Sequence, residues 1–134
     1  MRYLLDTNIC IYIIKKRPAE VLKRFSKLEP GSVGISTITQ FELLYGAHKS
    51  EAEVKNLDLL ERFFLPLELS PFESSAAEES ARIRVELKHY PIGPMDLLIA
   101  GQARALGVTL VTNNTREFSR VEGLRIENWV MRRV

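Results

Sequence analysis

Short apolar runs alternate with longer stretches of helical spacing along the chain. Tyr3-Leu4-Leu5 opens it as a buried strand, and Asp6-Thr7-Asn8 closes that strand with residues that favour turns and helix N-termini. Ile9 to Lys16 reads as a helix. A second helix has Pro18 in its first turn and runs to Leu28, with Val21, Leu22, Phe25 and Leu28 on one face. Val33-Gly34-Ile35 is a short strand. After it, Ser36-Thr37, with Gln40 three residues beyond Thr37 as in a capping box, introduces a helix carrying Phe41, Leu44 and Tyr45.

Glu51 to Phe64 places Val54, Leu57, Leu60 and Phe64 at helical spacing, and Leu65 to Leu69 reads as a third strand whose Pro66 assigns it to a sheet edge. Ser70-Pro71-Phe72-Glu73 carries the clearest local signal: Ser at the N-cap, Pro at the first helical position and Glu at the third predict a helix to His89. Pro94 restarts a helix through Leu106, which Gly107 terminates. Val108 to Val111 is a buried strand, and Leu124 to Ile126 a last one. Short apolar strands alternating with helices predict an α/β fold around a mainly parallel sheet. Sites in such sheets lie at the C-terminal ends of strands, which directs attention to Asp6, Ser36-Thr37 and Thr112-Asn113-Asn114.

Composition narrows the class. A chain of 134 residues with 46% hydrophobic content fills one core without disulfide or metal staples, and a single domain over residues 1–134 is expected. Cys10 is the lone cysteine, in an apolar run, so it forms no internal disulfide and fits a core position in a reducing cytosol. The uncharged stretch from Thr7 to Ile14 is far below the ~20 residues of a membrane span, and no small-residue cleavage site follows it. A cytoplasmic protein is expected. His48 and His89 lack ligand spacing to each other or to Cys10, which argues against zinc. Trp129 and Phe118 read as packing residues, and no Gly-rich phosphate loop is present.

Four acids stand where the strand-end rule places chemistry. Asp6 follows the first strand, Glu42 lies in the helix after the second, Asp96 is in the first turn of the helix begun at Pro94, and Glu117 follows the Val108 to Val111 strand. Carboxylates gathered on one sheet edge raise one another's pKa unless a cation neutralises them, and an all-oxygen cluster suits Mg²⁺ or Mn²⁺. Such ions activate water and clamp a phosphodiester. Taken singly, Asp6 and Asp96 are equally well explained as helix N-terminal residues, and Glu42 as a solvated helix residue.

The strings around these acids go further. Leu4-Leu5-Asp6-Thr7-Asn8, then Ser36 with Thr39-Gln40-Phe41-Glu42-Leu43 and Tyr45-Gly46-Ala47, then Ile92-Gly93 with Asp96 and Leu98-Ile99-Ala100, then Leu110-Val111-Thr112 with Asn114 and Glu117-Phe118, resemble the PIN-domain family. More narrowly, they resemble its VapC branch of ribonuclease toxins. The resemblance runs in order from Leu4 to Trp129. It implies a three-layer α/β/α fold with a central, mainly parallel sheet and a Mg²⁺-dependent acidic site that cleaves RNA, with Mn²⁺ substituting.

By position, Asp6, Glu42 and Asp96 match the family's three best-defined acids, with Asp6 and Asp96 as metal ligands. Many PIN domains carry a further acid where Asn114 stands here, so the fourth position falls to Asn114 or to Glu117, three residues on. Thr7, Asn8 and Thr112 match supporting polar positions near the site. The resemblance further implies a VapB-like antitoxin laid over the site, a homodimer, and a structured RNA substrate, with tRNA favoured.

Two enzymatic alternatives fail on residues. A haloacid-dehalogenase-like phosphatase needs a second Asp where Asn8 stands, and a receiver domain needs a Lys after the Val108 to Thr112 strand. A non-catalytic PIN-like domain that binds RNA or protein remains the rival, against which stands the retention of mutually repelling acids. The 19 basic and 17 acidic residues sum to +2. Setting the four site acids aside leaves 13 acids against 19 bases, so a negative pocket sits in a basic surface. Arg116 and Arg120, beside the fourth string, are expected to contact RNA, whereas Lys15, Lys16, Arg17, Lys23, Arg24 and Lys27 are largely explained as solvated helix faces.

Overall fold

The most apolar short run of the chain takes the centre of its sheet. In the computed structural model, which describes residues 1–131, β1 (Tyr3–Leu5) is buried along its whole length. It pairs in parallel with β2 (Val33–Ser36) on one side and with β4 (Thr109–Val111) on the other. β3 (Glu68–Ser70) continues the sheet beyond β2, and β5 (Ile126–Glu127) continues it beyond β4, giving the order β3-β2-β1-β4-β5 with every pairing parallel. Strands covered on both faces need no polar alternation, which is why β1 and β2 read as continuous apolar runs.

The helices form two layers. α1 (Thr7–Lys15), α2 (Ala19–Ser26), α3 (Thr37–His48) and α4 (Glu53–Phe64) bury Ile9, Ile13, Val21, Leu43 and Leu60 against Tyr3, Leu5, Ile35 and Val111. On the opposite face, α5 (Ser74–Glu86), α6 (Pro94–Leu106) and the short α7 (Thr115–Phe118) pack Ile83, Ile99, Ala103 and Phe118 on Leu4 and Leu110. Alternate residues of β1 thus serve the two layers. α5 and α6 approach closely at Gly101, where an added Cβ would collide with Ser80.

Several local expectations change. The helix start expected at Ser70-Pro71-Glu73 is absent: α5 begins at Ser74, its N-cap is Glu73, and that residue makes no side-chain cap bond. Ser70 is instead the last residue of β3, paired with Ser36, and both its carbonyl and its hydroxyl accept from Gln102 Nε2, at 2.9 and 3.0 Å. A cap is worth ~1 kcal/mol, less than a buried ladder position with its hydrogen bonds. Ser36, not Thr37, caps α3, accepting from Ile38 N at 2.9 Å, while Thr37 Oγ1 accepts from Phe72 N. Pro18 precedes α2 as its N-cap. β3 and β5 lie slightly later than expected, although β3 does occupy an edge. Gly107 ends α6 at φ 69°, as its sequence position predicts.

Candidate active site

Asp6 is built into the frame twice over. It ends β1 and is also the N-cap of α1, its Oδ1 accepting from Ile9 N at 2.9 Å. Capping and chemistry are therefore not alternatives for this residue. It is 3% exposed. Burial raises its pKa, and the Glu42 charge adds to the rise, while the Thr112 hydroxyl and the backbone N–H groups of Ile9 and Asn8 donate to the carboxylate and oppose it.

The neighbours of β1 bring the other acids to the same edge. β2 delivers α3, on which Glu42 is held by Thr7, whose Oγ1 donates to Glu42 Oε1 at 2.6 Å. Fully buried Thr39, one helical turn before Glu42, lies 3.4 Å from the same hydroxyl. β4 delivers Thr112, which is fully buried; its Oγ1 also accepts from Asn114 N at 2.9 Å. Asn114 Nδ2 in turn donates to Glu117 Oε2 at 3.1 Å.

Asp96 lies in the first turn of α6, facing this group. Its pKa is pushed up to about 6, first by partial burial, then by the charges of Asp6, Glu117 and Glu42, and by a hydrogen bond with Glu117. All four acids thus share one electrostatic environment. Asn8 is exposed, and its backbone N–H donates to Asp6. Arg116 and Arg120 are exposed on and after α7, on the Glu117 side of the cluster. Cys10, fully buried, has its thiol pKa pushed far up by desolvation and is inert as a nucleophile.

The donor set fits a hard divalent cation, because these oxygens repel one another without one. Among the described residues, no three acids converge tightly enough to hold an ion unaided. Mg²⁺ is suited to such a site, since it keeps several waters and takes one or two carboxylates together with substrate phosphates.

Residues other than the acids support this edge. Ser36 Oγ donates to Gln102 Oε1, and Gln102 Nε2 reaches Ser70 and the Pro71 carbonyl, tying β2, β3 and α6 together beneath the site. Thr39, already part of the second string, stands at i−3 from Glu42, a spacing that places both on one helix face. Gln102 in an apolar helix stretch gave no partner that sequence could name. Beside Glu42, an apolar groove of about 290 Å³ is bounded by Ile11, Ile14, Leu43, Ala47 and Leu60.

Known proteins share this fold. The PIN domain family model matches residues 3–124. A tRNA(fMet)-specific endonuclease VapC of Shigella flexneri is 47% identical over 131 residues, covering 96% of this chain and 98% of its own length. The crystal structure of DNA-bound VapBC from Salmonella typhimurium superposes with a TM-score of 0.91 at 45% identity, covering 97% of this chain and 99% of that one. VapBC2 from Rickettsia felis, bound to a DNA fragment from its promoter, gives 0.90 at 40% identity, covering 97% and 100%.

Proposed function

The chain belongs to the PIN-domain family, and from that premise we propose that it is a metal-dependent endoribonuclease, the toxin of a VapBC-like pair, cleaving tRNA in the cytoplasm. The observation that carries this reading is the shared acidic edge, where partial burial and then the charges of Asp6, Glu117 and Glu42 raise Asp96 to about 6. Mutual repulsion of this kind has a use only where a cation and a phosphodiester meet it, which speaks against a purely binding domain.

In this reading Asp6 and Asp96 hold Mg²⁺, with Mn²⁺ able to replace it. The ion supplies charge neutralisation at phosphorus and a more acidic water. Asp6 is kept in one orientation by Ile9 N and by the Thr112 hydroxyl. Thr7 occupies Oε1 of Glu42, leaving Oε2 to accept a proton from the attacking water. Glu117, held by Asn114 and bonded to Asp96, fills the fourth acidic position. Arg116 and Arg120 flank the cluster and are assigned to the RNA backbone.

An antitoxin similar to VapB is the natural partner, and the apolar groove ending at Glu42 suits a segment of it. A homodimer belongs to the same reading. No helix among the described residues is long and apolar enough to cross a membrane. The decisive assay incubates the purified chain, free of any antitoxin, with total tRNA and Mg²⁺. Discrete cleavage that disappears in Asp6→Asn and with excess chelator is expected; cleavage undiminished in either refutes the assignment. RNA binding without cleavage by the unaltered chain would establish the non-catalytic alternative.

A further inference from the structure

We infer that the groove between α2 and the segment following β5 is a channel for the RNA strand that leads away from the acidic edge. This deepens the nuclease reading and rests on it. The groove encloses about 720 Å³, and Arg2, Lys23, Lys27, Asn128 and Trp129 are among the residues that line it. Its acidic members are already engaged. Glu127 Oε1 lies 2.8 Å from Arg24 Nη2 and accepts from Trp129 Nε1 at 2.9 Å, and Glu20 Oε2 accepts from Met131 N. Arg24 also stacks its guanidinium over Trp129, 5.8 Å from the ring centroid. Arg2, Lys23 and Lys27 have no carboxylate partner among the described residues, so the groove presents unneutralised cations along its wall.

A chain of hydrogen bonds links the groove's rim to the site. Asn128, on its rim, donates from Nδ2 to Asn113 Oδ1 at 3.1 Å, and Asn113 Nδ2 reaches the Tyr12 hydroxyl at 3.4 Å. Asn113 directly follows Thr112, whose hydroxyl holds Asp6. A rung of exposed neutral amides and a phenol therefore bridges the acidic edge and the basic groove. Each amide retains hydrogen-bonding capacity that base edges or sugar hydroxyls can use. A polynucleotide needs cations for its backbone and neutral polar groups for its bases, whereas an acidic peptide would have no call on the rung. The link through Asn113 to the proposed nuclease edge favours RNA for the same reason. Lys23 and Lys27 thereby acquire a role that their helical positions alone did not suggest.

The test measures binding of a fluorescein-labelled 15-nucleotide oligoribonucleotide by the full chain, in an Asp6→Asn background that blocks turnover, across a salt series. Lys23→Ala/Lys27→Ala is expected to weaken binding about tenfold. It should also reduce the slope of log affinity against log salt by about 1.4, the loss of two single-strand phosphate contacts. Lys55→Ala/Lys88→Ala, remote exposed lysines, should leave both quantities unchanged. Trp129, the only tryptophan, provides a second readout: its emission should change on RNA addition, and this response should vanish in Lys23→Glu/Lys27→Glu. Circular dichroism and melting temperature confirm that each variant is folded. Equal slopes for the groove and control pairs overturn the inference, as does a groove variant that loses binding of an antitoxin peptide while its RNA slope is unaltered. If the unaltered chain cleaves RNA in either of those cases, the nuclease reading stands and only the channel falls; if it neither binds nor cleaves RNA, the nuclease reading itself fails.

Discussion

Asp96→Asn should make the metal-free protein more stable while abolishing its activity. The substitution removes one charge at nearly constant volume from an edge where four carboxylates interact. Asp96 titrates at about 6 in the folded protein, against about 3.9 for an unperturbed aspartate. At 1.36 kcal/mol per unit the displacement corresponds to about 3 kcal/mol before screening, and the partial exposure of the side chain reduces this to roughly 1–1.5 kcal/mol. At neutral pH that is a gain of about 3–6 °C in melting temperature for a chain of this size.

The pH dependence has a definite sign. The folded state holds its proton more tightly than the unfolded chain, so the penalty is full above about pH 7, shrinks as pH falls through 6 and is gone below about 4. The advantage of Asp96→Asn should therefore shrink on acidification. Melting in excess chelator at pH 7.5, 6 and 5 measures this, and repeating the pH 7.5 scan with Mg²⁺ should stabilise the parent chain more than the variant. A variant equal to or less stable than the parent in chelator at pH 7.5, or an advantage independent of pH, would refute the electrostatic account of this edge.

Further predictions probe the supports of the site. Thr7→Val, which frees Glu42 Oε1, is expected to lower the cleavage rate at least tenfold with little change in melting temperature, and Thr7→Ser to restore most of it, by single-turnover kinetics. Gln102→Leu leaves the Ser36 O–H without its acceptor and removes the donor to Ser70 and Pro71, so urea denaturation should show a loss of roughly 3 kcal/mol. Ser80 Oγ is buried without a hydrogen-bond partner, and Ser80→Ala should raise stability by up to about 1 kcal/mol. Gly101→Ala should lower it by about 2 kcal/mol or more, because the new Cβ would lie 2.8 Å from Ser80 Cα and N; calorimetry of the two variants separates the effects.

Where local chemistry and the tertiary frame ask for the same conformation, the chain could be read directly. Tyr3–Leu5 is apolar enough to be the central strand, and Pro94 with Gly107 brackets α6 as caps predict. Asp6, Glu42, Asp96 and Glu117 were legible as candidates because each follows or faces the end of a strand. Local reading failed where a buried partner outbid a local preference: Ser70 has every feature of an N-cap, yet it is drawn into β3 by Ser36 and Gln102. α7 was missed because its four residues are too few to show a period.

The sequence alone determined the α/β class, the family and the acidic chemistry, since these depend on residue type and spacing. Tertiary structure decided the convergence. Glu42 and Glu117 are brought to Asp6 because β2 and β4 flank β1, and Asp96 meets them because α6 packs on the far face of that strand. It also decided the environment: which acid loses its water, which hydroxyl donates to it, and which lysines line a groove. Those properties depend on neighbours distant in the chain, and no local pattern encodes them.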